Sequence, residues 1–211
     1  PAGQAMYSLE FYETDLKRGF YRGSKMNLMP VPGILRLLHN FVGAEFEQRW
    51  GKSAQDIIEH AGRALSWAAN IEDLPEETNR VELDPVLKDS DGLPAPKVTY
   101  KMSENTTKSL TFALDRMVDI HKAAGAKHIA KTFIWREQPG HLLGTARMGN
   151  DPQRSVVDRY GRAHDVPNLF IVDGSLMVTG GAVNPTASIT ALALRTAEHI
   201  VATARDTKVA A

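Results

Sequence analysis

The residues best suited to chemistry lie in the last third of the chain. His141 sits in the stretch Gly140-His141-Leu142-Leu143-Gly144-Thr145-Ala146-Arg147-Met148-Gly149. Imidazole, with an ordinary pKa near ~6.5, is the side chain best matched to accepting a proton at neutral pH. Gly140 and Gly144-Thr145 permit tight backbone turns that bring such a ring close to a flat partner. Taken alone, this histidine equally fits a loop residue that bonds a carbonyl. Downstream stands Val183-Asn184-Pro185-Thr186-Ala187-Ser188. Asn before Pro at a helix start reads as an N-cap with Pro at the first helical position. The same geometry aims free N–H groups and the positive end of the helix dipole at whatever lies in front. Between the two, Asp173-Gly174 closes the apolar run Asn168-Leu169-Phe170-Ile171-Val172. A turn at a strand's carboxyl end offers N–H groups to a ligand, or is simply a strand-ending turn.

The elements that must carry these residues can be read from periodicity. Residues 6–12 and 19–28 are aromatic-rich and predicted to be extended. Pro30-Val31-Pro32-Gly33 punctuates the chain before a helical pattern over residues 34–41. Ser53 is a predicted N-cap for a helix to about Asn70, with Ile57, Ile58, Ala61, Leu65 and Ala68 on one face. Residues 79–83 and 97–102 are predicted to pair as strands across a turn-rich segment. A helix is predicted over residues 104–124, with Leu110, Leu114, Met117 and His121 on one face and Gly125 as its stop. Residues 128–135 read as a further strand. The run 168–172, almost wholly apolar, predicts a strand covered on both faces. Residues 187–204 predict a helix with Ile189, Leu192, Thr196 and Ile200 on one face.

Taken in order, the His141 loop, the Asp173-Gly174 turn and the Asn184-Pro185 helix start resemble the C-terminal signature of the glucose–methanol–choline (GMC) family of flavin-dependent alcohol oxidoreductases. The resemblance is dense over residues 138–202 and thinner over 79–137. It implies that His141 is the catalytic base and Asn184 its partner. It also implies that Asp173, Gly174, Asn184, Pro185 and Thr186 contact FAD, with the helix start facing the flavin ring. Removing a hydride and a proton from an alcohol needs a hydride acceptor and a base, which flavin and histidine would supply. The expected fold class is α+β. A mixed or antiparallel sheet with helices would form part of a substrate domain (residues 1–139). A strand-and-helix segment (140–205) would complete an FAD-binding domain, followed by a tail (206–211).

The family's opening βαβ unit, with its Gly-x-Gly-x-x-Gly turn, has no counterpart in these residues; Gly180-Gly181 has the wrong spacing. The sequence therefore looks like the C-terminal portion of a longer enzyme lacking its N-terminal FAD-binding half, an expectation that the opening Pro1 favours. The expected substrate is a small alcohol, polyol or sugar hydroxyl. The rival reading is a non-catalytic binding or assembly module that keeps the signature. A nicotinamide-dependent dehydrogenase is disfavoured, because its Tyr-x-x-x-Lys pair occurs only across Gly23-Ser24, as Tyr21 and Lys25.

Composition narrows the classes further. The 25 basic and 25 acidic residues cancel, so no global field favours nucleic acid. No cysteine is present, which removes disulfides, thiolate metal sites and cysteine nucleophiles. The remaining histidines (His39, His60, His121, His128, His164, His199) form no ligand spacing, so no metal site is expected. No apolar run reaches the ~18–20 residues of a membrane span. Arg147 is expected to brace its loop through carbonyls or Asp158.

Overall fold

The computed structural model describes residues 6–29, 51–131, 133 and 140–209. The chain forms two units: residues 1–72 with 104–138, and residues 73–103 with 139–211. Helices and antiparallel sheets are mixed, as α+β requires. The 73–103 segment groups with the C-terminal residues, whereas the sequence reading kept it within 1–139. The helix predicted over 34–41 lies outside the described residues, as do residues 132, 134 and 135 of the strand predicted over 128–135. The described residues 128–131 form no strand.

The first unit is a three-stranded antiparallel sheet in the order β1 (Tyr7–Ser8), β2 (Ser24–Met29), β3 (Ser66–Ile71). The β2–β3 ladder runs from Ser24 opposite Ile71 to Met29 opposite Ser66. Helix α1 (Lys52–His60) starts after Gly51, not Ser53, and gives way to a 3-10 turn over Ala61–Arg63. The single long helix expected over 53–70 is therefore corrected. Pairing with β2 makes residues 66–71 a strand, because ladder hydrogen bonds and a covered face outweigh local helical periodicity.

A second helix, α2 (Glu104–Ala123), packs on β3 and β2. Its buried residues are Thr106, Ser109, Ala113 and Met117; of the expected face Leu110, Leu114, Met117 and His121, Met117 is buried and the others are half-buried. The helix ends as expected. Gly125 has φ +80°, its N–H bonds the Lys122 carbonyl, and Ala126 N–H bonds that of His121. This pair of bonds is a Schellman stop.

The second unit begins with the hairpin β4 (Arg80–Lys88) and β5 (Pro94–Thr99), paired from Arg80 opposite Thr99. Its first strand runs beyond the expected residue 83, through an irregularity where the Asp84 carboxylate accepts N–H bonds from Val86 and Leu87. Residues 140–185 follow as loops joined by single bridges: Met148 with Val157, Val157 with Ala163, Arg162 with Phe170. They close over a small core of Val157, Ala163 and Leu176, lined by Met148, Ile171, Met177 and Leu192. The strand expected over 168–172 is thus reduced to one bridge at Phe170. Leu169 and Val172 are 48% and 45% exposed, so the run is not covered on both faces. No neighbouring ladder among the described residues extends it. The long helix α3 (Thr186–Val209) ends the chain's described part and runs into the stretch expected as a tail. Neither glycine nor proline stands there to stop it. No helix among the described residues is long and apolar enough to cross a membrane.

Candidate active site

Three segments of the second unit meet around His141. The loop that carries it is fastened from behind: Ala146 N–H donates to the Ser175 carbonyl at 2.9 Å and Met148 N–H to that of Leu176 at 2.8 Å. Both carbonyls belong to the 3-10 turn Gly174–Leu176 that follows Asp173. Asp173 holds this turn by accepting hydrogen bonds from the hydroxyl and the N–H of Ser175, the latter at 2.8 Å, which keeps its carboxyl below the usual carboxylate range. Because the folded-state pKa is lowered, the contribution to stability is complete above about pH 3.9 and vanishes as pH falls through the lower folded value. Acid melting curves should therefore show wild type losing more stability than Asp173→Asn below about pH 4.

Gly174 is where the loop and the helix close on each other. A Cβ there would lie 2.8 Å from Leu143 Cδ2, 3.1 Å from Ile189 Cδ1 and 3.3 Å from the Leu142 carbonyl oxygen. The leucine and isoleucine ends can swing aside, but the carbonyl is backbone next to His141. Gly174→Ala should cost about 1–3 kcal/mol of stability in chemical denaturation, as overpacking does. Nothing in the sequence pattern marked this interlock; Asp-Gly reads as any turn.

His141 itself is exposed and holds a left-handed backbone, φ +61°. The Asn184 amide nitrogen, carried on the segment before α3, lies 3.3 Å from His141 Nε2. With the amide nitrogen as the donor, Nε2 accepts and the ring proton belongs on Nδ1. The Asn-Pro pattern predicts Asn184 as the N-cap and Pro185 as the first helical residue. Here α3 begins at Thr186, and the carbonyl of buried Pro185 accepts the first helical bond from Ile189 N–H at 2.9 Å. Asn184 stands one place too early to cap, and its side chain turns to the histidine. Thr186, Ala187 and Ser188 are exposed, so the first N–H groups of α3 end at the surface beside the pair.

The other candidates resolve into structure. Arg147 donates from Nε to the Arg154 carbonyl at 2.7 Å, the bracing role expected, with that carbonyl and not Asp158 as partner. His164 and Ser155 lie 3.0 Å apart, but His164 Nε2 is also 3.2 Å from the Gly149 carbonyl, and Ser155 donates to the Asp151 carbonyl at 2.6 Å. A ring nitrogen facing a carbonyl must carry a proton, so it cannot take one from Ser155; the pair ties loops and is no nucleophile. His199 stacks flat on Tyr160, with ring centres 3.9 Å apart, fixing α3 to the loops.

The sequence model of the GMC oxidoreductase family matches residues 75–193, more than half of the chain. The chain belongs to the GMC oxidoreductase family. A relative is the 2-methyl-1,2-propanediol dehydrogenase of Mycolicibacterium austroafricanum, 43% identical over 202 residues, which are 94% of this chain and 36% of that protein. Another is the fructose dehydrogenase large subunit of Gluconobacter japonicus, 38% identical over 71% of this chain and 27% of that subunit. The pyridoxine 4-oxidase from Mesorbium loti shares the fold, with a TM-score of 0.52 at 19% identity, over 85% of this chain and 34% of that structure. The chain thus spans roughly a quarter to a third of the length of these GMC relatives.

Proposed function

We propose that this chain supplies the proton-accepting side of an FAD-dependent oxidoreductase that oxidises an alcohol, polyol or sugar hydroxyl. The observation that carries this reading is the Asn184–His141 contact at 3.3 Å, with the amide as donor. It leaves the lone pair of Nε2 turned towards the Asn184 amide, at the exposed rim of the unit. A hydroxyl oxygen about 2.8 Å from each nitrogen forms the third corner of a triangle on that edge. There it takes the amide's place on Nε2, donating its proton to that lone pair, and accepts a hydrogen bond from the displaced Asn184 Nδ2–H. As the proton leaves, negative charge grows on the oxygen, and the amide donor faces it. The family membership and the diol and sugar names of the relatives support the substrate class.

The residues present fit a flavin. The open N–H groups at Thr186–Ser188 and the dipole of α3 suit an electron-rich ring edge, and they border the pair. Asn184, Pro185 and Thr186 would hold that edge, and the Asp173-Gly174 turn would face the cofactor's chain. FAD, when bound, accepts the hydride from the carbinol carbon. The phosphate end would be held by a dinucleotide-binding unit of the family type, for which these residues carry no glycine fingerprint.

Anaerobic mixing of the flavin-loaded enzyme with a 1,2-diol and with its carbinol-deuterated form tests this reading. Flavin absorbance should bleach, and deuteration should slow the bleaching by about threefold or more, as expected of hydride transfer governed by transition-state energies. A spectrum unchanged by diols, polyols and sugars alike would contradict it.

A further inference from the structure

Among the described residues three non-glycine positions hold a left-handed backbone: Arg22, His141 at φ +61° and Ala182 at φ +53°. Two of the three flank the pair. One bears the imidazole, and the other stands two residues before Asn184. Ala182 is 5% exposed and follows Gly181, itself at φ +77°. Glycine at positive φ ranges over a broad region, whereas a residue with a Cβ is confined there to a small left-handed well. A Cβ in that well is disfavoured unless the surroundings over-determine it, and such residues gather where a site's geometry must be fixed. Gly181 thus permits the chain reversal, but Ala182 narrows it.

We propose that Ala182 is a positioning residue. Its buried Cβ, held by the surroundings, keeps the backbone within the narrow left-handed well, sets the direction in which the chain enters Val183 and Asn184, and so keeps the Asn184 amide on His141 Nε2. The inference rests on the proton-accepting reading of the pair. The consequence is a selected tautomer: with Asn184 donating to Nε2, the ring proton stays on Nδ1, while an imidazole free in water prefers Nε2–H. Loss of positioning therefore leaves a mark on the ring that a general loss of stability does not.

Nitrogen-15 spectra of the histidine rings in the 211-residue chain read that mark, with the His141 signals assigned by their disappearance in His141→Asn. Wild type and Ala182→Ser, which keeps a Cβ, should show His141 chiefly as the Nδ1–H form. Ala182→Gly should shift the population to mostly Nε2–H while the melting temperature moves by only a few degrees. In the flavin-loaded enzyme the glycine variant should lower kcat by about ten- to a hundredfold with KM little changed, as expected of a misplaced reacting group. Unchanged tautomer populations in Ala182→Gly would overturn the positioning role. A shifted tautomer with undiminished kcat would uphold that role and instead overturn the proton-accepting reading of the pair.

Discussion

Replacing His141 by alanine should lower the rate of flavin reduction by about 10²–10⁴-fold while flavin stays bound, the loss typical of a removed general base. The imidazole is exposed, so its removal opens no core cavity, and the loop behind it is anchored independently through Ala146 and Met148. Backbone effects can be separated from chemistry because His141 sits at positive φ. His141→Asn introduces a side chain at ease in that conformation but without a titratable lone pair. It should be as slow as the alanine variant and at least as stable. His164→Ala serves as the control. That ring ties Ser155 and the Gly149 carbonyl, so its loss should lower the melting temperature and spare the rate. Equal rate losses in the His141 and His164 variants would remove the reason for placing the base at His141.

Asn184 yields the second large effect, and the order of its variants is informative. A carboxylate at this position can only accept, so Asn184→Asp demands a proton on His141 Nε2. The nearby negative charge then favours the imidazolium, which has no lone pair to offer, and it opposes charge growing on the substrate oxygen. Flavin reduction should fall about 10²-fold or more, in line with losing an electrostatic donor. Asn184→Ala removes the donor but leaves the lone pair, so it should be the milder variant. Melting should change little in either, by less than about 0.5 kcal/mol, because Asn184 is exposed and Pro185 occupies the cap position. Were Asn184 only a cap, Asp would be active and stable, and Ala would lose about 0.5–2 kcal/mol. Rates and melts measured on both variants distinguish the two roles.

Local signals in the sequence were enough where local chemistry decides the structure. Gly125 stops α2 because the left-handed stop needs glycine, and a hairpin closes across the turn-rich segment, with its second strand at Pro94–Thr99 in place of the expected 97–102. Where distant segments decide, the sequence misled. The amphipathic pattern from Ser53 onward crosses Gly62 into residues that β2 recruits as β3. The apolar run 168–172 reads as a buried strand, yet it holds one bridge, and Leu169 and Val172 face outward. The stripe on α2 was met only at Met117, with Thr106, Ser109 and Ala113 buried in place of the leucines. The approach of Asn184 to His141 cannot be deduced from spacing; only the family resemblance joined them, while the local Asn-Pro pattern places the cap one residue too early. Gly174 and Ala182 were invisible as site-makers, since their effect depends on what a Cβ meets or what backbone angle it must adopt.

The most direct test is the pH dependence of the flavin-reduction rate constant, measured by anaerobic stopped flow in wild type and His141→Asn. If His141 Nε2 takes the hydroxyl proton, the wild-type rate falls on the acid side as that nitrogen becomes protonated. The variant should be slow at every pH and should lack this acid limb. An acid limb that persists unchanged in His141→Asn, at an undiminished maximal rate, would assign the proton to another group and contradict the proposed role of the pair.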